Sequence, residues 1–110
     1  MPAEIPTVAA SDIGPDAYLL DVREDEEWRA GHPPGAHHLP MSELPGRLAD
    51  VPRDRTVVVV CRVGARSGQV VAYLRQHGWH NVHNLGGGLH RWVADGQPLV
   101  SEDGQPARVR

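Results

Sequence analysis

Four valines in succession, Val57 to Val60, run directly into Cys61, the only cysteine of the chain. A β-branched run with no polar alternation suits a strand covered on both faces, since every side chain must leave water whichever way it points. Thr56 to Cys61 is therefore expected to be a central strand with a layer packed on each side. At 110 residues the chain has the size of one domain. It can bury roughly two thirds of its unfolded surface, so a core can form without staples. A single cysteine forms no internal disulfide and completes no four-ligand zinc site, which fits a reducing compartment.

Around that strand, short apolar runs alternate with helical patterns, predicting βα units about a mostly parallel sheet. Ala17 to Val22 reads as a strand. EDEEWRAG, residues 24–31, reads as a short helix whose acidic first turn complements the helix dipole and whose glycine ends it. HPPGAHHLP, residues 32–40, follows as a rigid turn and a brief extended piece. Ser42 is placed to cap a helix carrying Leu44, Leu48 and Val51, with Pro45 in its first turn. Val70, Val71 and Leu74 recur at helical spacing between Ser67 and His77, with Gly78 as the stop. Asn81 to Leu85 is the next strand and Gly86 to Gly88 permit a tight turn. A last short helix, Leu89 to Asp95, then packs Leu89, Trp92 and Val93. The single domain is expected to span 1–110, with its core over about 5–99 and residues 100–110 as a mobile polar tail.

A formal charge of -3, with eleven arginines and no lysine, gives no general basic field, so neither nucleic acid nor a membrane is expected as a partner. MPAEIPTVAA at the start lacks a basic segment followed by a long apolar run, and no stretch of about eighteen apolar residues occurs. The expected location is cytoplasmic. Among the seven histidines, His37 and His38 should point to opposite faces if they lie in a strand. No cysteine or carboxylate set completes a ligand spacing around them or around His32, so no metal is expected. Trp28, Trp79 and Trp92 are read as core bulk in a chain without Phe. Gly86 to Gly88 lack the ending of nucleotide-binding motifs and are read as a close backbone approach beside the loop after Cys61.

That loop carries the chemistry. Cys61 ends a strand just before a helix N-terminus, where backbone N–H groups and the helix dipole favour an anion. If Arg62, Val63, Gly64, Ala65 and Arg66 curl back around the sulfur, their amides form a nest, with Gly64 supplying a dihedral region other residues resist. A nest of this kind favours thiolate over thiol, and each pKa unit is worth about 1.4 kcal/mol. Arg62 and Arg66 add attraction for anionic substrates. The alternative is that Cys61 is a small buried hydrophobe finishing a strand. Against it stands the cost of burying a cationic, glycine-containing loop merely to pack.

Three separated segments carry a resemblance that covers about Ile5 to Leu99. LLDVREDEEWRAGHPPGAHHLP (19–40) has an Asp-Val-Arg followed by an acidic residue, an aromatic, Gly-His and Pro-Gly-Ala; VVVVCRVGARS (57–67) has the strand and loop; NVHNLGGGLHRWVADGQPL (81–99) has the glycines, Trp and Gly-x-Pro. In that order they resemble the signatures of the single-domain rhodaneses, of the thiosulfate sulfurtransferase-like family. The resemblance implies a rhodanese-like α/β fold: a mostly parallel five-stranded sheet with helices on both faces, and its site at the carboxyl ends of the strands.

It further implies that Cys61 is the nucleophile. By that resemblance the thiol takes a sulfane sulfur from a small anionic donor such as thiosulfate, becomes a persulfide, and passes the sulfur to cyanide or to a small-thiol or protein acceptor. Arg62, Val63, Gly64, Ala65, Arg66 and Ser67 are the implied anion-binding loop, and no metal or organic cofactor is required. Asp21, Arg23, Glu27 and His32 match support positions. An Arg23–Glu27 ion pair, Asp21 bonding backbone near the strand end, and a hydrogen-bonding His32 in the turn are expected. Phosphatase-type relatives resemble a Cys followed by five residues and an Arg, whereas Arg66 follows Cys61 after four and Ser67 stands where that arginine would be. A non-catalytic binding or persulfide-carrier module on the same fold is the alternative.

Overall fold

The computed structural model describes residues 4–110, so residues 1–3 of the expected domain span lie outside the described residues. Among those described, five strands form one sheet in the order β1 (Thr7–Val8), β5 (Val82–Leu85), β4 (Val57–Val60), β2 (Tyr18–Asp21), β3 (His37–His38). Every neighbouring pair is parallel. β4 is the middle strand, as its unbroken apolar run predicts, and none of its four valines is more than 1% exposed. Val57 and Val59 pack against Val70, Val71 and Leu74 of α2 (Ala65–Gln76). Val58 and Val60 pack against Leu89 and Trp92 of α3 (Gly88–Ala94) on the opposite face. Full burial of each such side chain contributes roughly 1.5–3 kcal/mol.

Parallel pairing brings the carboxyl ends of the strands to one edge. Asp21 of β2 lies opposite Val60, and Asn84 of β5 opposite Val59. β2 leads through Glu24 into α1 (Asp25–Ala30), whose first turn holds Asp25, Glu26 and Glu27, the acidic set the dipole favours. Three sites, after β2, β4 and β5, therefore converge on the same rim.

Several local expectations differ from the structure. Residues 42–51 form no α-helix capped by Ser42. Two 3-10 turns, Met41–Gly46 and Leu48–Asp50, take their place, with Pro40 rather than Ser42 at the cap position. The segment bonds at three-residue spacing, Arg47 N to Leu44 O and Val51 N to Leu48 O, and breaks at Arg47 (φ -131°), just after Pro45 and Gly46, the two weakest helix formers side by side. Leu44 and Val51 are nonetheless buried. Val93 is 46% exposed rather than packed. Trp79 and Trp92 do supply core bulk, but Trp28 is half-buried and stacks on the His32 ring at 3.5 Å. The polar segment expected to be a mobile tail instead runs beside α1. Val100 and His32 exchange backbone hydrogen bonds, Glu102 N donates to Arg29 O, and Arg108 N donates to Ala30 O. Composition conceals such pairing because it uses main-chain groups only.

The expected Arg23–Glu27 ion pair is also replaced. Arg23 is fully buried and turns back on Asp21, with Nε donating to Oδ1 at 2.9 Å and Nη2 to Oδ2 at 2.7 Å. Its Nη2 also donates to Gly31 O, and Asp21 Oδ1 accepts Arg23 N, the backbone bond expected of that carboxylate. Both charges lie at 0% exposure, and among the described residues each is the other's only ion-pair partner. Glu27 is turned toward a different arginine, described below. Asp21→Ala leaves a buried, uncompensated guanidinium and is expected to lower stability by about 3–5 kcal/mol in urea denaturation.

Candidate active site

The chain leaves β4 at Cys61 and enters α2 through Gly64, which occupies the helix cap with φ +104°, a conformation glycine adopts without steric cost. That turn folds the loop over the sulfur. Gly64 N donates to Cys61 Sγ at 3.1 Å and Ser67 N at 3.4 Å, while Ser67 Oγ lies 3.2 Å away. The sulfur therefore sits in a ring of donors at the positive end of α2, nearly covered at 1% exposure. Burial pushes the thiol up. The Ser67 hydroxyl and the backbone N–H groups of Ser67, Gly64 and Val63 together outweigh burial, so the thiol lies below its ordinary value.

α3 braces the loop from outside. Leu89 N donates to Cys61 O at 2.9 Å and His90 N to Arg62 O at 3.0 Å. The approach is close enough that a Cβ on Gly88 would lie 2.6 Å from the Arg62 carbonyl, which explains the glycine there as the close backbone approach read from sequence.

The two loop arginines do different work. Arg66 forms a two-pronged bridge with Glu27, Nη1 to Oε1 at 2.7 Å and Nη2 to Oε2 at 2.8 Å. The Arg66 bridge holds the Glu27 carboxyl below the usual carboxylate range despite partial burial. This ties α1 to the loop and occupies the Arg66 charge. Arg62 is exposed, and its side chain makes no hydrogen bond or ion pair among the described residues. Val63 and Ala65 are exposed on the same turn. Asp21 and Arg23 lie beneath as the buried pair. His32 donates from Nδ1 to Trp28 O at 2.8 Å and stacks on that Trp, so its bonds serve the turn after α1.

One polar residue beside the sulfur escaped the sequence reading. Asn84 of β5 reaches across, its Oδ1 accepting from Ser67 Oγ at 2.5 Å and its Nδ2 donating to Gly64 O at 3.1 Å. Asn84 alternates with Val82 on the α2 side of β5, a polar residue where the pattern demands an apolar one. That interruption was the available signal. Among the described residues no group of three or more His, Cys, Asp or Glu is placed to hold a metal, and no helix is long and apolar enough to cross a membrane.

The model of the rhodanese-like domain matches residues 6–95, and the chain belongs to that family. A protein of Allochromatium vinosum named sulfurtransferase is 45% identical over 89 residues, covering 81% of this chain and 83% of its own length. The crystal structure of a rhodanese-related protein from Thermoplasma volcanium superposes with a TM-score of 0.81 at 32% identity, over 86% of this chain and 97% of that one. A segment of a NAD-dependent persulfide reductase from A. fulgidus is also similar. It is 35% identical with a TM-score of 0.68, over 80% of this chain and 16% of that one.

The Glu27–Arg66 bridge predicts a pH signature. Because the folded carboxyl is lowered, its contribution is complete above the ordinary carboxylate range and disappears as pH falls through the lowered value. Glu27→Gln should therefore cost about 1–2 kcal/mol at neutral pH. The gap to the unmodified protein should close in acid, as measured by urea denaturation across pH.

Proposed function

We propose that this protein is a sulfurtransferase that carries sulfane sulfur as a persulfide on Cys61. The observation that carries the reading is the ring of N–H donors on Sγ, from Gly64 and Ser67, at the head of α2. Such donors hold a thiolate without a fixed counter-charge and would hold the next sulfur outward in the same way. The family membership and the sulfurtransferase names of its relatives support the same chemistry.

In the proposed cycle the Cys61 thiolate attacks the outer sulfur of thiosulfate. The new bond joins Sγ to that sulfur, the sulfur–sulfur bond of the donor breaks, and its electron pair departs with sulfite. An acceptor nucleophile then attacks the outer persulfide sulfur. Cyanide leaves as thiocyanate, or a small or protein thiol takes up the sulfur, and the thiolate returns. Neither half-reaction calls for a metal or an organic cofactor. A sulfur as covered as Cys61 meets its donor end-on, which favours a slim terminal sulfur over a bulky electrophile. Cys61, with the loop Arg62 to Ser67, is thus the proposed site, and Asp21, Arg23, Glu27 and His32 are its proposed support. Arg62, the loop arginine left unpaired among the described residues, is the proposed attraction for an anionic donor.

Mass measurement after thiosulfate treatment should find one added sulfur atom at Cys61, removed by cyanide and absent in Cys61→Ser. No adduct, or equal turnover in both proteins, would sink this reading and favour a non-catalytic binding module. Arg62→Ala should raise KM for thiosulfate by roughly three- to tenfold, the worth of one exposed charge contact, with a smaller change in kcat.

A further inference from the structure

Counting protons around the sulfur gives Asn84 a part in the chemistry. A backbone carbonyl only accepts, so the contact of Asn84 with Gly64 O must be made by Nδ2, and Oδ1 necessarily faces Ser67. Oδ1 also only accepts. The single hydroxyl proton of Ser67 is therefore directed to Asn84, and Ser67 Oγ presents lone pairs to Cys61 Sγ at 3.2 Å. That arrangement satisfies a neutral thiol, whose S–H donates to Oγ. It does not suit a thiolate, because two electron-rich atoms would then face each other. Ionisation of Cys61 draws the Ser67 hydroxyl onto Sγ beside the N–H donors of Gly64 and Ser67, and Asn84 Oδ1 then loses its donor.

The geometry points to Asn84 as a positioning residue that sets where the Ser67 proton rests, and thereby how readily the Cys61 sulfur becomes and ceases to be an anion. Resting on the persulfide reading above, the consequence is a hydroxyl that turns twice per cycle. It points to Sγ while that atom is the thiolate. It returns to Asn84 once Sγ is a neutral, two-bonded sulfur and the charge has moved to the outer atom. No proton leaves the site in either turn, so sulfur transfer stays free of an acid–base step. Asn84 and Ser67 are both buried, 9% and 0% exposed, so bulk water does not stand in for the missing donor. The charged and titratable groups around the sulfur are Arg62 and Arg66 of the loop, Glu27 of α1, the Asp21–Arg23 pair at the end of β2, and His90 of α3. None of them is altered by the substitutions below.

The test is the pH dependence of Cys61 alkylation by iodoacetamide in the whole chain, whose single cysteine makes the rate unambiguous. Asn84→Leu keeps the side-chain shape but releases the Ser67 proton, so the thiol pKa should fall by about half a unit to one unit. In a Ser67→Ala background the same substitution should leave it unmoved. A purely structural role for Asn84, holding Gly64 and the loop, predicts the opposite sign, because a loosened ring of N–H donors raises the thiol. A rise, no change, or an equal change in both backgrounds would overturn the proposal. Should Asn84→Leu fail to fold, the S–H stretch of the unsubstituted protein decides in its place. It should lie below the free-thiol frequency at acid pH and move up in Ser67→Ala, whereas a free-thiol band in the unsubstituted protein would overturn the proposal. Both readouts follow the thiol itself, so they remain informative whether or not thiosulfate loads the cysteine.

Discussion

A strand whose side chains are all buried touches the rest of the protein's surroundings only at its ends. β4 is such a strand, with Val57 and Val59 under α2 and Val58 and Val60 under α3. Parallel neighbours on both sides then oblige β2, β4 and β5 to finish on one rim, since crossover connections carry each strand back to the same starting edge. The residue after Val60 consequently stands between the heads of two helices. That residue is Cys61. A thiol in this position is surrounded by main-chain N–H groups because the chain must turn sharply into α2, and Gly64 is the residue that permits the turn.

Charge is handled in two separate places around that turn. The full charges are paired off at a remove from the sulfur, Arg23 with Asp21 below the sheet edge and Arg66 with Glu27 across to α1. The sulfur itself is met by neutral dipoles. The sequence offers Arg66, with Arg62, as an attraction for anionic substrates. Its bridge to Glu27 makes it a fastener between α1 and the loop, and leaves Arg62 as the loop's unpaired cation among the described residues. Mobility of the loop is thereby limited on three sides, by Glu27, by the α3 amides of Leu89 and His90, and by Asn84.

Legibility in the sequence tracked the range of the forces involved. Val57 to Val60 announced a doubly covered strand because burial on both faces leaves a compositional trace. Gly64 announced a turn because its φ of +104° suits glycine, and Gly88 a close approach because a Cβ there would meet the Arg62 carbonyl. Partner choice was less visible. Arg23 could have met Glu27 at helical distance, yet Asp21, two residues back on the same strand end, sits in the plane of its guanidinium. The helix expected over 42–51 gives way where Pro45 and Gly46, the two weakest helix formers, stand side by side in a segment of few turns. β1, two residues long and with no motif beside it, carries too little pattern to be read. Asn84 is hidden differently: its meaning depends on a hydroxyl and a carbonyl that fold in from seventeen and twenty residues away.

Neutral donors around the sulfur matter because a sulfur carrier must hold an anion at two successive positions. A cation placed against Sγ would favour the thiolate strongly and resist the shift of charge to the outer sulfur, so one half-reaction would slow as the other quickened. In the proposed cycle, dipoles from a turned backbone extend over both positions rather than acting at a single point. A hydroxyl that can turn away once Sγ is no longer charged extends the same logic. In the proposed cycle it strengthens the ring only in the state that needs it, which keeps thiolate and persulfide close in free energy and lets sulfur move in either direction as donor and acceptor concentrations dictate.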